Sequence, residues 1–324
     1  MKKLILCIDG VTSFTGFHFA KMLSKKFYVY AFVKKKKKAY KYIKKKRLGI
    51  LEKIKNIRLI YNCTTGSSIH LKKILLIKKI DIYCFHAAHV NNYKSTKFSF
   101  FNAYKKNTHN LEKILKILKT KKTKICFSHS IFQSIPRNIN KPIASNYALS
   151  KDITYLTLLY LVRKFDLRLF NLVITNPFGA LEDKKFPFYL MTSWLKKKIP
   201  FIEYTKQKLD FIPIDILGEV FLKKLLIFLK DKKKIIFYIP SFYKVNTLQF
   251  AKILKKKLLL YSDINLHKNE LKTLIIKKNN LKNYVNLCGN EKVRFKKKIE
   301  KKFWPKYINY YHEITKTQKQ FNTN

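Results

Sequence analysis

The fold is decided by residues 4–16, which read LILCIDGVTSFTG. The run Leu4–Ile8 is apolar and has the length of a buried β-strand. Gly10 and Gly16 then bound a short polar turn, and the apolar run from Phe17 to Leu23 begins a helix. A strand, a glycine-containing turn and a helix in this order are typical of the first unit of a parallel sheet.

The same alternation of strand-length apolar runs and longer helical segments continues to about residue 175. It predicts a doubly wound parallel sheet of the Rossmann type, with helices on both faces. After Asn176 prolines interrupt the pattern, so we expect a Rossmann domain over 1–175 and a smaller C-terminal lobe over 176–324, with some segments returning to the core. The predicted strands are Leu4–Ile8, Tyr28–Val33, Ile57–Tyr61, Ile82–His86, Lys124–Ser128 and Leu169–Thr175. The predicted helices are Phe17–Leu23, His70–Ile80, Phe98–Leu118, Tyr147–Lys164, Phe188–Lys198, Ile216–Leu229 and one from Thr247.

The chain is very basic, with 71 Lys+Arg against 18 Asp+Glu and a formal net charge of +53. Such a charge attracts polyanions without any specific site. The basic residues are nearly all lysine and are spread from Lys2 to Lys319, whereas nucleic-acid readers rely on clustered arginines. We therefore expect no specific nucleic-acid partner.

Three further observations bear on location and metal content. No apolar run is long enough to span a bilayer, so we expect no membrane insertion. A strand so close to Met1 leaves no room for a signal peptide, which favours a cytoplasmic protein. The five cysteines form no CxxC pair, and we expect reduced thiols and no metal site.

The glycine turn after the first strand suits a dinucleotide. A bound diphosphate needs a tight turn, close backbone approach and the positive end of a helix. Gly10 supplies the turn, Gly16 permits close packing, and Thr12, Ser13 and Thr15 add hydroxyl donors. Strand–Gly–helix turns also occur without cofactors, but at the first strand of an alternating fold we favour cofactor binding.

Tyr147 and Lys151 form a candidate catalytic pair. They lie one helical turn apart, where the ammonium lowers the pKa of the phenol and prepares it for acid–base chemistry. Six other Tyr–Lys pairs share this spacing, so the spacing alone decides nothing. What distinguishes Tyr147 is its place at the start of the helix after the fifth strand, whose end carries Ser128 and Ser130.

Together these features resemble the extended short-chain dehydrogenase/reductase family of NAD-dependent epimerases and dehydratases, from about Leu4 to Ala251. Five segments occur in the family's order. They are the turn Gly10–Gly16, Asp81–Ala88 at the fourth strand, Phe127–Ser130 with Tyr147 and Lys151, Arg168–Gly179, and Leu209–Asp215.

The resemblance implies an NAD(P)-dependent sugar-nucleotide enzyme, an epimerase or a 4-keto reductase, that moves a hydride at a sugar carbon. Tyr147 would be the acid/base, Lys151 its partner and ribose anchor, and Ser130 the donor to the reacting oxygen, with Ser128 as the alternative donor. The implied cofactor-binding residues are Gly10, Thr12, Ser13, Phe14, Thr15, Gly16, Lys34, His86, Ala87, Ala88, Ser128, Tyr147 and Lys151.

The resemblance also implies partners. The C-terminal lobe would bind a nucleotide-sugar substrate, and the helices Phe98–Leu118 and Tyr147–Lys164 would pair two copies into a homodimer. The implied substrate-binding residues are Asn176, Phe178, Lys208 and Asp210, with Lys206 as an alternative to Lys208 for the diphosphate. For Asn176 a turn-forming role before Pro177 is nearly as well supported.

The cofactor itself is predicted from the end of the second strand. NAD binders usually carry an acidic residue there for the ribose diol. In this chain Val33 is followed by the lysine run from Lys34 to Lys38, which suits a 2′-phosphate. We therefore favour NADP over NAD.

Several residues depart from the family pattern. Ser13 replaces the middle glycine of the turn, Asp9 stands in place of a small hydroxyl residue, and Leu209 replaces an arginine. A catalytically decayed cofactor-binding relative is therefore the alternative function, and a nucleic-acid-binding protein is a third. The dehydratases' acidic pair is replaced by Ile131 and Phe132, which argues against dehydration.

Overall fold

The structure is a computed structural model, and it describes residues 3–90, 92–93, 95, 97–133, 145–202, 208–262, 274–275, 291–293 and 299–321. The chain divides into two compact units. Unit 1 comprises Met1–Ile174 and Gly218–Ile239, and unit 2 comprises Thr175–Leu217 and Pro240–Asn324.

Unit 1 contains a seven-stranded sheet in which every neighbouring pair is parallel. Its strands are β1 (Leu4–Ile8), β2 (Phe27–Phe32), β3 (Ile57–Ile60), β4 (Ile82–Phe85), β5 (Lys124–Ser130), β6 (Leu169–Ile174) and β10 (Ile235–Tyr238). The order across the sheet is β10-β6-β5-β4-β1-β2-β3, which confirms the predicted doubly wound fold. The order reverses between β1 and β4, and in such sheets ligands bind outside the carboxyl ends of the strands at this point.

The strands are apolar because both faces of the sheet are covered. In β1, Leu6, Cys7 and Ile8 expose no surface, and all four residues of β4 are buried. Cys7, Cys84 and Cys126 are free cysteines buried in three of these strands, as the sequence predicted.

The helices of unit 1 lie close to the predicted residues, with two exceptions. The helix Tyr42–Glu52 was not predicted from the sequence. The predicted helix Phe98–Leu118 is wrong as a single element, since it is two helices separated at residues 108–110. Asn110 has a left-handed φ of +53°, and its Nδ2 donates to the Gly66 carbonyl at 2.8 Å. The helices are α1 (Phe14–Leu23), α2 (Tyr42–Glu52), α3 (Ser68–Leu76), α4 (Phe100–Asn107), α5 (Leu111–Thr120), α6 (Asn146–Lys164) and α8 (Ile214–Lys230).

Unit 2 is built around the three-stranded sheet β12-β9-β7. Its ring-rich interior encloses Phe178, whose ring centroid lies 5.1 to 5.7 Å from four other aromatic rings. The strands are β7 (Asn176–Phe178), β8 (Phe201–Ile202), β9 (Lys208–Pro213), β11 (Pro240–Ser241), β12 (Tyr243–Asn246), β13 (Leu274–Ile275) and β14 (Glu291–Lys292). The helices are α7 (Phe186–Leu195), α9 (Thr247–Tyr261) and α10 (Trp304–Phe321). Helix α10 was not predicted from the sequence.

Within the described ranges, no helix combines the length and the apolar composition that a bilayer span requires.

Candidate active site

Ser13 begins α1 and closes the turn after β1. Its Oγ accepts from the Gly16 N–H at 3.1 Å and donates to the Gly10 carbonyl at 2.8 Å. The side chain therefore caps the helix and is held by the turn itself. The next residues, Phe14 and Thr15, are the first of the helix, and N–H groups at these positions have no partner within it. Such N–H groups at the positive end of a helix bind phosphate.

The turn leaves no room for a side chain at either of its two glycines. Gly10 has φ of +69°, and a Cβ there would lie 2.9 Å from the Ala87 nitrogen. A Cβ on Gly16 would lie 2.9 Å from the Gly10 carbonyl carbon and still closer to its oxygen. The two glycines thus let the turn pack closely against the helix and the end of β4, as the glycines of a dinucleotide-binding turn do, and we call this turn the glycine cradle.

Asp9 joins the ends of β1 and β4. It is buried, and its Oδ1 accepts from the His86 and Ala87 N–H groups at 2.6 Å each. Its Oδ2 accepts from the Thr65 hydroxyl at 2.8 Å. Burial raises the pKa of Asp9, while the two backbone bonds and Thr65 oppose the rise. This departure from the family pattern therefore has a full set of partners at the sheet edge.

His86 lies between the turn and β5. Its Nε2 is 3.0 Å from the Thr15 hydroxyl and 3.2 Å from the Ser13 hydroxyl. Its Nδ1 is 2.9 Å from the Ser128 hydroxyl. Burial lowers the pKa of His86 to about 3, with a smaller contribution from Lys151, so the ring is neutral at pH 7.

Tyr147 and Ser130 meet at the end of β5. The Ser130 side chain interacts with the Tyr147 hydroxyl, and the Tyr93 and Tyr147 ring centroids are 5.1 Å apart. Burial raises the pKa of Tyr147 to about 12; the interaction with Ser130 opposes the rise and Tyr93 adds to it. The depression of this pKa by Lys151 stays a prediction for the cofactor-bound enzyme.

Lys151 reaches the same sheet edge from α6. Only 4% of it is exposed, its Nζ donates to the Ser128 carbonyl at 2.9 Å, and it lies 4.5 Å from the centroid of the Phe127 ring. Burial lowers the pKa of Lys151 to about 8, against the opposing effects of Asp9 and Asp152. The ammonium form still predominates at pH 7.

The remaining predicted cofactor contacts lie around this edge. Lys34 is exposed just beyond β2, and its charge contributes to the lowered pKa of His89, which follows β4. Ala87 is exposed and Ala88 partly buried, beside the turn. Thr12 is held through its carbonyl, which accepts from Arg47 Nη1 at 3.0 Å.

The predicted substrate residues lie in unit 2. Phe178 and Asp210 are fully buried, and Asp210 Oδ1 accepts from the Phe242 N–H at 2.7 Å. The Asn176 amide donates to the Asp210 carbonyl at 3.4 Å, and Lys208 is exposed. Lys206 lies outside the described residues. These contacts give Phe178 and Asp210 packing roles, and contact with substrate stays a prediction.

The sequence analysis missed Thr65 and the link made by His86. Thr65 follows β3, so its place at the carboxyl edge was a usable signal. The ring contacts of His86 had no such signal, because they join residues 13, 15 and 128, which are far apart in sequence.

Fold and site together define a Rossmann-type α/β protein with a glycine turn, a buried lysine and a Tyr–Ser pair at the carboxyl edge of its sheet. Residues 6–225 match the model of the NAD dependent epimerase/dehydratase family, and the chain belongs to this family of enzymes.

Solved structures with the same fold include members that act on nucleotide sugars. UDP-glucuronic acid 4-epimerase from Bacillus cereus, in complex with UDP-glucuronic acid and NAD, is 16% identical, with a TM-score of 0.66 over 96% of this chain and 100% of that one. UDP-N-acetylglucosamine 4-epimerase from Methanobrevibacter ruminantium M1 is 18% identical, with a TM-score of 0.64 over 97% of this chain and 100% of that one.

A dehydratase shares the fold as well. DesIV, the dTDP-glucose 4,6-dehydratase from Streptomyces venezuelae, is 12% identical, with a TM-score of 0.65 over 96% of this chain and 97% of that one. Among curated protein sequences, none shows significant similarity to this chain. At these identities the structural likeness establishes the fold.

Proposed function

We propose that the chain is an NAD(P)-dependent enzyme of nucleotide sugars, a 4-epimerase or 4-keto reductase. The observation that carries this proposal is that Lys151, buried on α6, donates to the Ser128 carbonyl of β5, while Tyr147, one helical turn earlier, interacts with Ser130 at the end of the same strand. This group lies at the sheet edge where the glycine turn offers a phosphate cradle, as hydride transfer to a dinucleotide requires.

The residues of unit 1 fit a dinucleotide. The N–H groups of Phe14 and Thr15 would hold its diphosphate, and the Lys151 ammonium would hold the ribose next to the nicotinamide. When bound, the cofactor supplies the acceptor and donor of hydride. The 2′-phosphate of NADP would meet Lys34, whereas the family and the solved relatives are described with NAD.

Tyr147 carries the proton chemistry. It takes the proton of the sugar hydroxyl as the hydride leaves the same carbon, and returns it when the hydride comes back. Because burial alone holds the pKa of Tyr147 near 12, the phenolate needs the Lys151 ammonium and a positive nicotinamide to form at neutral pH. The Ser130 hydroxyl orients the reacting oxygen.

Reaction and substrate class follow from the residues around this pair. Ile131, the residue after Ser130, is 1% exposed and buried just beyond the end of β5, where a dehydratase would need an acid. This supports epimerisation or keto reduction. The nucleotide-sugar substrate rests on the family and on the UDP- and dTDP-sugar enzymes that share the fold. The cytoplasmic location expected from the sequence stays a prediction.

A homodimer through α4 and α6 is part of the proposal. Phe101 on α4 is 61% exposed, and Leu156 and Tyr160 on α6 are 46% and 64% exposed. Exposed apolar side chains on two neighbouring helices are typical of an interface. By light scattering we expect a dimer that Leu156→Lys converts to monomer, while Leu260→Lys, at a still more exposed position of α9, leaves it unchanged.

The test is a screen of the purified protein against UDP-, GDP-, CDP- and dTDP-sugars with NAD and NADP. We expect turnover of at least one sugar, and loss of at least about 100-fold in kcat for Tyr147→Phe. Tyr42→Phe is the matched control, because Tyr42 also precedes a lysine by four residues but is 89% exposed.

One outcome would contradict the proposed enzyme, and a second would contradict only the preference for NADP. Cofactor binding without turnover of any sugar, unchanged by Tyr147→Phe, identifies a decayed relative. Tighter binding of NAD than of NADP leaves the enzyme intact but removes the role given to Lys34.

A further inference from the structure

We propose that His86 is a positioning residue that ties the phosphate turn to the catalytic strand, and that its ring carries its proton on Nε2. The inference rests on the proposed function for its catalytic consequence. The contacts that support it belong to the protein itself.

The Nε2 side of the ring faces the turn. Ser13 Oγ and Thr15 Oγ1 both lie within 3.2 Å of Nε2. The Ser13 hydroxyl already donates its single proton to the Gly10 carbonyl, so towards His86 its oxygen accepts. Nε2 must therefore carry the hydrogen, shared between the two hydroxyl oxygens.

The Nδ1 side of the ring faces β5. With the proton on Nε2, Nδ1 has a free lone pair, and the Ser128 hydroxyl 2.9 Å away must donate to it. Burial lowers the pKa of His86 to about 3, so a second ring proton is excluded at the working pH. One tautomer thus satisfies all three hydroxyl contacts.

The ring also forms the inner wall of the glycine cradle. Its Cδ2 lies 3.2 Å from where a Cβ on Gly10 would be and 2.9 Å from where one on Gly16 would be. Asp9 fixes the backbone of the same residue through its N–H at 2.6 Å. His86 therefore packs directly against both glycines of the turn.

This link favours Ser130 over Ser128 as the donor to the reacting oxygen. The Ser128 hydroxyl is engaged by His86, and its carbonyl accepts from Lys151. Ser130 is the serine whose hydroxyl meets Tyr147. His86 thus joins the phosphate turn to Ser128, whose carbonyl in turn accepts from Lys151.

The first measurement reads the tautomer directly in the free protein. Imidazole ¹⁵N shifts of the labelled protein are expected to show a proton on Nε2 and none on Nδ1 of His86, unchanged from pH 5.5 to 8. His129 is the internal reference, because its Nε2 faces the Asn171 Oδ1 acceptor at 2.9 Å. A proton on Nδ1, or titration in this range, would overturn the proposal.

The second measurement uses two variants that each keep one side of the link. The side-chain amide of Asn lies where Nδ1 of His86 lies, so His86→Asn keeps the contact with Ser128 and loses those with the turn. The amide of Gln lies where Nε2 lies, so His86→Gln keeps the contacts with the turn and loses that with Ser128. For His86→Asn we expect NAD(P) binding to weaken about 10-fold with kcat within about 3-fold of wild type. For His86→Gln we expect the reverse, near-normal cofactor affinity with kcat lowered about 10-fold or more.

His129→Asn is the matched control for loss of a buried histidine, and it should lower the melting temperature without changing the cofactor Kd. Equal cofactor affinity in wild type and His86→Asn would contradict the link. If the wild type itself binds neither cofactor, the proposed function fails, and the ¹⁵N spectrum still decides the tautomer.

Discussion

Ser128 and Ser130 are two residues apart on β5, and the structure gives them different partners. Ser130 interacts with Tyr147, whereas Ser128 is held by His86 and Lys151.

We expect Ser130→Ala to lower kcat by about 100-fold with little effect on cofactor affinity, since it removes a donor used in the transition state. Ser128→Ala removes the same contact with His86 as His86→Gln does, so we expect near-normal NAD(P) affinity with kcat lowered about 10-fold. Steady-state kinetics and cofactor titration of both variants distinguish them, and a larger kcat loss for Ser128→Ala would reverse the assignment.

The glycines offer a second test at this scale. Gly16→Ala brings a methyl group onto the Gly10 carbonyl, and we expect a loss of about 1–3 kcal/mol in the free energy of unfolding together with loss of cofactor binding. Gly49→Ala is the control, because a Cβ on Gly49 in α2 meets no atom within 4 Å. It should gain about 1 kcal/mol from helix propensity and bind cofactor as wild type does. Urea unfolding measures both, and a stable, cofactor-binding Gly16→Ala would show that the cradle is not required.

The sequence indicated those residues of the candidate site for which the local structure or the chemistry requires one residue type. The glycines of the turn and the order of strand, Tyr147 and Lys151 carried that information. The set of bonds around His86 and Asp9 did not, because each bond depends on which strand ends the parallel sheet brings together.

At the scale of elements, the sequence predicted the strands best. A buried parallel strand is an apolar run with no competing interpretation, so β1 was predicted to the residue. The break between α4 and α5 was missed because the residues on both sides keep helical periodicity. What stops the helix is tertiary, namely the Asn110 bond to Gly66.

Helix α10 was also missed, and it too depends on a tertiary contact. A buried acid, Glu182, holds it in place. Tyr307 and Tyr311, one turn apart on α10, both donate to Glu182 Oε1. Glu182 is 2% exposed, and burial raises its pKa to about 8 against the opposing effects of both tyrosines and of Lys185. Glu182 is therefore predominantly protonated in the folded protein at pH 7.

This acid makes unit 2 less stable as the pH rises. Between the ordinary pKa of 4.5 and the folded value of about 8, the unfolded chain has lost the proton while the folded chain keeps it, so stability falls across this window and levels off above it. Glu182→Gln removes the titration, and we expect it to flatten the decline between pH 5 and 8, with a gain of about 2–4 kcal/mol at pH 8.

Denaturant unfolding of both proteins at several pH values measures this slope. Glu112→Gln is the control, because Glu112 pairs with Lys116 and Lys164 on the exposed surface and contributes little. A slope that persists in Glu182→Gln would assign the decline to another group.

At the scale of the whole molecule, the excess of lysine is the dominant physical property. With 71 basic and 18 acidic residues, most cations have no acidic partner. Among the described residues, most ion pairs involve an exposed lysine, such as Lys37 with Glu52 at 2.9 Å and Lys306 with Asp215 at 2.9 Å. Folding therefore brings many like charges together, and their repulsion is screened only by salt.

Salt should accordingly stabilise this protein and at the same time remove its affinity for polyanions. Raising NaCl from about 0.02 to 0.3 M shortens the Debye length from roughly 20 Å to about 6 Å, so the melting temperature should rise by several degrees. Over the same range, binding to random double-stranded DNA and to heparin should fall together and never saturate at a defined site size, because only charge is recognised. Cofactor affinity should fall much less, since the cradle binds through backbone N–H groups and few charges.

Calorimetry and fluorescence anisotropy at matched ionic strengths measure these three trends. Saturable DNA binding with a fixed site size, retained at 0.3 M NaCl and absent for heparin, would instead show that the lysines form a nucleic-acid site. It would favour a nucleic-acid-binding protein over the proposed enzyme.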